Sequence, residues 1–102
     1  MAKISILAKI VAPEGKGDEL LRMLPELVDA AGPEPGTEAY VLNRSTTDPD
    51  TFWFFELYAD QDALTAHAGS ETLARAMGEL GSLGARTEIV LSEPLAAKGL
   101  TV

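Results

Sequence analysis

The sequence predicts an α+β domain in which four antiparallel strands form one sheet and helices cover one of its faces. Its length of 102 residues suits a single domain, spanning residues 1–102. Apolar residues repeat first at every second position and later at every third or fourth, in the order strand, helix, strand, strand, helix, strand. The chain has no cysteine, so an apolar core must hold the fold without disulfides.

The first half of the chain begins with a strand and a helix. Residues 3–11 alternate apolar with polar side chains, which predicts a strand with one solvated face. Apolar residues at helical spacing predict an amphipathic helix over residues 16–30. Because Pro25 removes one backbone hydrogen bond inside that helix, we expect a bend there and not two helices. Prolines and glycines at 32–36 then end the helix.

Two strands follow, joined by a turn at Asp48-Pro49-Asp50. The second strand covers about 37–45, and the third covers 51–59, with the sequence TFWFFELYA. Large apolar side chains occupy consecutive positions of the third strand, so both of its faces need cover. One helical layer covers a single face, and we therefore expect a second subunit on the other.

The last third of the chain predicts two helices and a strand. Asp60 is a candidate cap for a helix through Ala68, and Ser70 for a second helix after the break at Gly69. Glycines late in the second helix predict early fraying or close packing there. Residues 87–92 predict the fourth strand, and the apolar tail is expected to dock on the fold or on a partner. The whole order is the split βαβ pattern of a ferredoxin-like domain.

Charge and hydropathy exclude several classes of partner. The formal net charge is −8, and the pI is about 4.4, which opposes binding to nucleic acid phosphates. No apolar run approaches the ~18 residues of a membrane helix. We expect a cytoplasmic protein that binds neither nucleic acid nor membrane. One histidine and no cysteine give no metal-site pattern, so no metal is expected.

His67 is the only histidine of the chain and the first candidate catalytic residue. An unperturbed imidazole changes charge near neutral pH, so it can act as a base. It lies close to the expected break between two helices, where a side chain can point into the gap between helices and sheet. A helix-end histidine that only makes a capping or packing contact is the alternative interpretation.

Tyr40 and Glu56 form the second candidate constellation. A hairpin that pairs Leu42 with Phe54 places Tyr40 opposite Glu56 on one face. Phe54 and Tyr58 flank Glu56 there, and such apolar company should make its carboxyl hold its proton more tightly than in water. The alternative is a buried hydrogen bond between tyrosine and glutamate with a purely structural task.

The opposite face of the hairpin includes Trp53 and Phe55, which we assign to a homodimer contact, since tryptophan is enriched at interfaces. Arg75 is a candidate for holding an anionic ligand, and a solvated surface charge is the alternative.

Several of these residues together resemble the antibiotic biosynthesis monooxygenase (ABM) family. The resembling positions are Glu34-Pro35-Gly36, Tyr40, Asp48-Pro49-Asp50-Thr51-Phe52, Glu56, Asp60, Ala63-Leu64, His67 and Ser70. The resemblance implies a dimeric α+β barrel in which two sheets face each other and each subunit keeps a pocket between its sheet and helices.

The resemblance also implies chemistry. Quinone-forming members oxidise phenols with molecular oxygen and no cofactor, using an Asn and a Trp where this chain has Phe54 and Tyr58, and an Arg near Gly78, one turn from Arg75. The positions used by haem-degrading relatives hold other residues here, so haem breakdown is not expected.

The resulting hypothesis is a cofactor-free monooxygenase acting on a small aromatic, phenolic or quinone-like molecule. His67 or Glu56 would be the base, while Tyr40, Phe54, Tyr58 and Arg75 would bind the ring or its charge. Two alternatives stay open: a dimer that binds a metabolite without catalysis, and an isomerase that transfers protons in the same pocket.

Overall fold

A computed structural model of the protein describes residues 2–102. These residues form four strands and four helical segments. In chain order they are β1 (Ile4–Val11), α1 (Gly17–Met23), α2 (Pro25–Ala31), β2 (Thr37–Arg44), β3 (Thr51–Tyr58), α3 (Gln61–Ala68), α4 (Glu71–Leu83) and β4 (Arg86–Ser92). These bounds agree with the sequence expectations to within a few residues, except inside the first predicted helix.

The four strands form one antiparallel sheet with the spatial order β2-β3-β1-β4. The two strands that are most apolar, β1 and β3, are therefore central, and β2 and β4 form the edges. Each half of the chain contributes one central and one edge strand, which is the ferredoxin-like arrangement that the element order predicts. The predicted fold class is confirmed.

The hydrophobic core lies between one face of this sheet, here called the inner face, and the helices. Strand residues at alternate positions point into it, and leucines from the helices cover them. The largest buried members are Phe52, Phe54, Tyr58, Leu20, Leu24 and Leu80. The four helical segments of residues 2–102 thus lie on one side, and within this described range no helix covers the outer face of the sheet.

The first helical region differs from the prediction of one bent helix, which was wrong. Two seven-residue helices, α1 and α2, meet at Leu24. The backbone of Leu24 keeps helical angles and its N–H still donates to Leu20 O, at 2.9 Å. Pro25 has no N–H to continue this series of hydrogen bonds. The next turn is therefore of the 3₁₀ type, in which Leu27 N–H donates to the carbonyl oxygen three residues earlier, Leu24 O, at 3.0 Å.

Helices α3 and α4 begin at the predicted caps. The Asp60 carboxylate accepts from Ala63 N–H at 2.8 Å, and the Ser70 hydroxyl accepts from Leu73 N–H at 3.2 Å. The expectation of fraying or close packing in α4 was wrong. The helix continues through Gly78 and Gly81. It ends where Gly84 adopts a φ of 88°, a backbone angle that glycine adopts without strain.

Apolar side chains remain exposed on the outer face. Leu7, Val41, Trp53 and Val90, one from each strand, are between 41% and 55% exposed. The end of the tail returns to this domain, because the Lys3 ammonium donates to Thr101 O at 2.7 Å. Among residues 2–102, no helix is both long and apolar enough to span a bilayer.

Candidate functional site

A cavity of about 200 Å³ lies between the inner face of the sheet and helices α2, α3 and α4. Most of its wall is aliphatic or aromatic, from all four strands and these helices. Four side chains with polar groups interrupt that wall: Tyr40, Glu56, His67 and Thr87. No lysine or arginine of the described chain lines it. The position of this cavity is that of the pocket implied by the ABM resemblance.

Strand pairing brings the two predicted polar groups of the hairpin together. Tyr40 of β2 lies directly opposite Glu56 of β3, and Leu42 lies opposite Phe54, as the sequence predicts. The Tyr40 ring stacks on the Phe54 ring, with centroids 5.0 Å apart and an angle of 27° between planes. An aromatic pair and a carboxyl group therefore form one continuous wall of the cavity.

Glu56 is a buried carboxyl group, with a residue exposure of 5%. The Tyr58 hydroxyl donates to Glu56 Oε1 at 2.5 Å, and Tyr58 itself is fully buried. Burial raises the pKa of Glu56, although the Tyr58 hydrogen bond and the charge of protonated His67 both act in the opposite direction. Glu56 thus holds its proton more tightly than a solvated glutamate does.

The two tyrosines respond to the same environment. Burial raises the pKa of Tyr40, and the negative charges of Glu56 and Glu34 raise it further. Burial also raises the pKa of Tyr58, as does its hydrogen bond to Glu56. Both phenols therefore stay protonated at any physiological pH and are able to donate a hydrogen bond, as Tyr58 does to Glu56.

His67 lies in the last turn of α3. The Asp60 cap fixes the residue at which this helix begins, and so the position of His67 along it. The side chain is buried and touches the rings of Tyr40 and Tyr58, at centroid distances of 5.0 and 5.2 Å. Its Nε2 is 3.9 Å from Glu56 Oε1, on the side of the cavity. Its Nδ1 is 2.8 Å from Glu34 Oε1, on the other side of the ring.

Glu34 is the residue of this cluster that the sequence reasoning missed. In the sequence, Glu34 stands out only as part of the run Glu34-Pro35-Gly36 that resembles the ABM family. The available signal was the proline on each side of it, Pro33 and Pro35, which stiffens the loop that carries the carboxylate. That loop is 33 residues from His67 in sequence, so no local pattern connects the two.

The structure brings five of the six predicted site residues together. Four of them line the cavity: His67, Glu56, Tyr40 and Phe54. Tyr58 is the fifth, and its hydroxyl donates to the Glu56 carboxyl group. Arg75 is not brought to it. Its guanidinium contacts the carboxylates of Glu26 and Glu79 on the exposed surface of the helical layer.

The polar cluster has the chemistry of proton transfer. One imidazole stands between two carboxyl groups, with Glu34 on its Nδ1 side and Glu56 on its Nε2 side. The two carboxyl groups lie next to different nitrogens of the His67 ring, so one metal ion cannot bind both of them together with the imidazole. In residues 2–102, no group of three or more histidine, aspartate or glutamate side chains is arranged to bind a metal.

Solved structures of similar fold share this architecture at low sequence identity. PA3566 from Pseudomonas aeruginosa is 27% identical, with a TM-score of 0.86 over 94% of this chain and 97% of that one. NE2512 from Nitrosomonas europaea, a protein of unknown function, is 27% identical, with a TM-score of 0.84 over 100% and 98% of the two chains. A "putative antibiotic biosynthesis monooxygenase" from Caulobacter crescentus CB15 is 26% identical, with a TM-score of 0.83 over 93% and 92%.

Sequence comparison gives the family directly. No curated protein matches the chain. The family model described as antibiotic biosynthesis monooxygenase matches residues 3–79, about three quarters of the sequence, including β1 to β3, the loop of Glu34 and the helix of His67. The chain therefore belongs to the antibiotic biosynthesis monooxygenase family.

Proposed function

We propose that this protein is a cofactor-independent monooxygenase that converts a small phenol into a quinone with molecular oxygen. The observation that carries the proposal is the convergence of Tyr40, Glu56 and His67 at one side of an otherwise apolar cavity. A phenol has the matching shape, since one end is polar and the remainder is an apolar ring. Membership of the ABM family supports the reaction class.

The first step is removal of the phenolic proton by His67. Its Nε2 lies on the cavity side, next to Glu56. Glu56 is the second candidate for the base, because its raised pKa makes its carboxylate a stronger base than that of a solvated glutamate. Tyr40 donates a hydrogen bond to the substrate oxygen, which becomes negative in this step.

The second step is the reaction with oxygen. The phenolate has carbanion character at the ring carbon para to its oxygen, and it gives one electron to O₂. The radical and superoxide join at that carbon as a peroxide anion, which takes the proton back from His67. The hydroperoxide then loses water, made from its outer oxygen and the hydrogen of that carbon, to leave a carbonyl group. For the whole reaction, phenol and O₂ give quinone and H₂O, so the substrate supplies every electron and no other reductant is needed.

The size of the cavity limits the ring system. An engineered cavity of about 150 Å³ in another protein admits benzene. The 200 Å³ of this cavity then suits one ring or two, with the Tyr40 and Phe54 rings as a flat wall. Because no lysine or arginine among residues 2–102 lines it, nothing there favours a carboxylated or phosphorylated ligand.

The assembly that we propose is a cytoplasmic homodimer. Dimers are typical of the ABM family. The exposed outer face supports a contact around Trp53 and Phe55, because exposed apolar patches on sheets mark interfaces. Lys9 lies over the Trp53 ring at 5.4 Å, so a basic group borders this surface.

Oxygen uptake with phenol, 1-naphthol and anthrone, one-, two- and three-ring probes that each carry hydrogen at the reacting carbon, tests the function. We expect oxygen consumption and quinone absorbance with the smaller probes, and a loss of about 10²-fold or more in His67→Ala, as for other general bases. Thr65→Ala, on the exposed side of the same helix, is the control that keeps wild-type activity.

Three results would count against this proposal. Equal rates in wild type and His67→Ala would remove His67 from the mechanism. Turnover that continues without oxygen would favour the isomerase, in which protons move and no electron leaves the substrate. A probe that raises the melting temperature without any turnover would favour the non-catalytic binding protein.

A further inference from the structure

The loop between α2 and β2 is held against α3 by an unusually close contact. A Cβ atom placed on Gly36 would lie 2.4 Å from the Ala63 Cβ, closer than two carbon atoms can approach. Ala63 precedes His67 by one helical turn, so both residues are on the same side of α3. Gly36 therefore allows the loop to reach the part of the helix from which His67 projects.

This contact places Glu34 next to the imidazole. Glu34 Oε1 is 2.8 Å from His67 Nδ1 and accepts a second hydrogen bond, at 2.7 Å, from the Thr37 hydroxyl. The His67 side chain is 7% exposed and that of Glu34 24% exposed, so the pair is shielded from most of the solvent. Thr37 keeps the carboxylate from rotating away from the ring.

The chemistry of the two groups decides where the imidazole proton lies. An ionised carboxylate only accepts hydrogen bonds, so Nδ1 must carry a proton to bond to Glu34. In the neutral ring, Nε2 then has a free lone pair. The other groups that face the ring are Glu56, Tyr58 and Tyr40 from the sheet. The Glu56 Oε1 atom is 3.9 Å from Nε2, beyond hydrogen-bond distance.

We propose that Glu34 is a positioning residue that keeps the His67 proton on Nδ1 and leaves Nε2 as a proton acceptor facing the cavity. A free imidazole in water prefers the opposite tautomer, with its proton on Nε2. Glu34 thus reverses the intrinsic preference and prepares the ring as a base before any ligand enters. The use of that base in catalysis rests on the proposed function, whereas the tautomer itself does not.

Nitrogen-15 NMR of tag-free, ¹⁵N-labelled protein tests the assignment directly. His67 is the only histidine, so its ring signals need no separation from others. At about pH 9, well above the usual imidazole pKa of about 6.5, a nitrogen with a lone pair resonates far downfield of one that carries hydrogen. We expect a protonated Nδ1 and an unprotonated Nε2 in the wild type.

Two variants complete the test. Glu34→Ala removes the oxygen that accepts from Nδ1–H, and we expect loss of the single tautomer in favour of a mixture. Glu38→Ala removes a carboxylate four residues away that pairs with Lys3 at 2.6 Å, and it should leave the His67 signals unchanged. The melting temperature of each variant shows whether it is folded.

A proton on Nε2 in the wild type would overturn the proposal, even if Glu34→Ala failed to fold. An unchanged Nδ1–H tautomer in folded Glu34→Ala would also overturn it. The spectra need no substrate, so they remain decisive if the oxygen-uptake experiment finds no turnover. Conversely, an active enzyme with Nε2 protonated would refute the role of Glu34 while leaving the monooxygenase proposal in place.

Discussion

Replacing Tyr58 with phenylalanine removes one oxygen atom from the middle of the protein and tests the hydrogen bond to Glu56. The bond joins a fully buried phenol to a carboxyl group of a residue that is 5% exposed. The variant keeps the ring and its packing, so the space left empty is only that of one hydroxyl group. What it leaves behind is a buried carboxyl group without its donor.

The expected cost follows from that unsatisfied group. Removing one partner of a buried hydrogen bond costs about 1 to 3 kcal/mol of the free energy of unfolding. In a chain of about 100 residues each kcal/mol corresponds to a melting temperature lower by about 4 °C, so Tyr58→Phe should melt about 4 to 12 °C below the wild type.

The cost should also rise with pH. Because the Tyr58 hydroxyl lowers the pKa of Glu56, its loss raises that pKa beyond the value that burial already sets. Glu56 then has one pKa in the folded wild type and a higher one in the folded variant, and both lie above the usual 4.5. As pH rises from the first of these values to the second, the variant loses more free energy of unfolding than the wild type does. Below pH 4.5 the carboxyl is protonated in both proteins and the difference is smallest.

Urea denaturation at several pH values measures both effects, and Tyr40→Phe is the matched control. Within residues 2–102, the side-chain hydrogen bonds of this cluster join Tyr58 to Glu56 and His67 to Glu34 and do not involve the Tyr40 hydroxyl. Removing that hydroxyl should therefore change stability by less than about 0.5 kcal/mol. If Tyr58→Phe is as stable as Tyr40→Phe at neutral pH, the bond between Tyr58 and Glu56 does not form in solution, and the reasoning fails.

Three further perturbations give distinct outcomes. Glu56→Gln should become more stable relative to the wild type as pH rises above about 4.5, because the raised pKa makes the wild type lose stability there; parallel urea curves at all pH values would contradict this. Gly36→Ala should cost about 1 to 3 kcal/mol through overpacking, whereas Gly81→Ala, with nothing within 4 Å, should stabilise its helix by about 0.5 to 1 kcal/mol, both read from thermal melts; equal shifts would refute the close contact. Trp53→Ser should convert a dimer to monomers in sedimentation velocity, while Leu21→Ser, equally exposed on the helical layer, should not; a monomeric wild type would end the dimer proposal.

The sheet was predictable from sequence because its determinants are local. Alternating side chains gave β1, turn residues gave the β2–β3 hairpin, and the register that pairs Tyr40 with Glu56 followed from the length of that turn. The Asp60 and Ser70 caps were equally local, since each bonds within three residues of itself.

The remaining features depend on contacts distant in sequence. The division at Pro25 reflects how one missing N–H affects the next turn, and periodicity alone does not report that. The Glu34–His67 pair exists because Gly36 allows a loop to touch a helix. The family resemblance predicts a place near the site for Arg75, but its partners Glu26 and Glu79 hold it on the surface.

The edge strand β4 has a consequence for handling the protein in solution. Ile89, Val90 and Leu91 form an exposed run along this open edge, a pattern that invites pairing with strands of other molecules. Glu88 and Glu93 flank this run, and their negative charges repel the same strand of another molecule. Near the isoelectric point of about 4.4, the repulsion from these two glutamates and from the net charge of the protein both weaken. Precipitation should therefore begin from this edge in mildly acidic buffers.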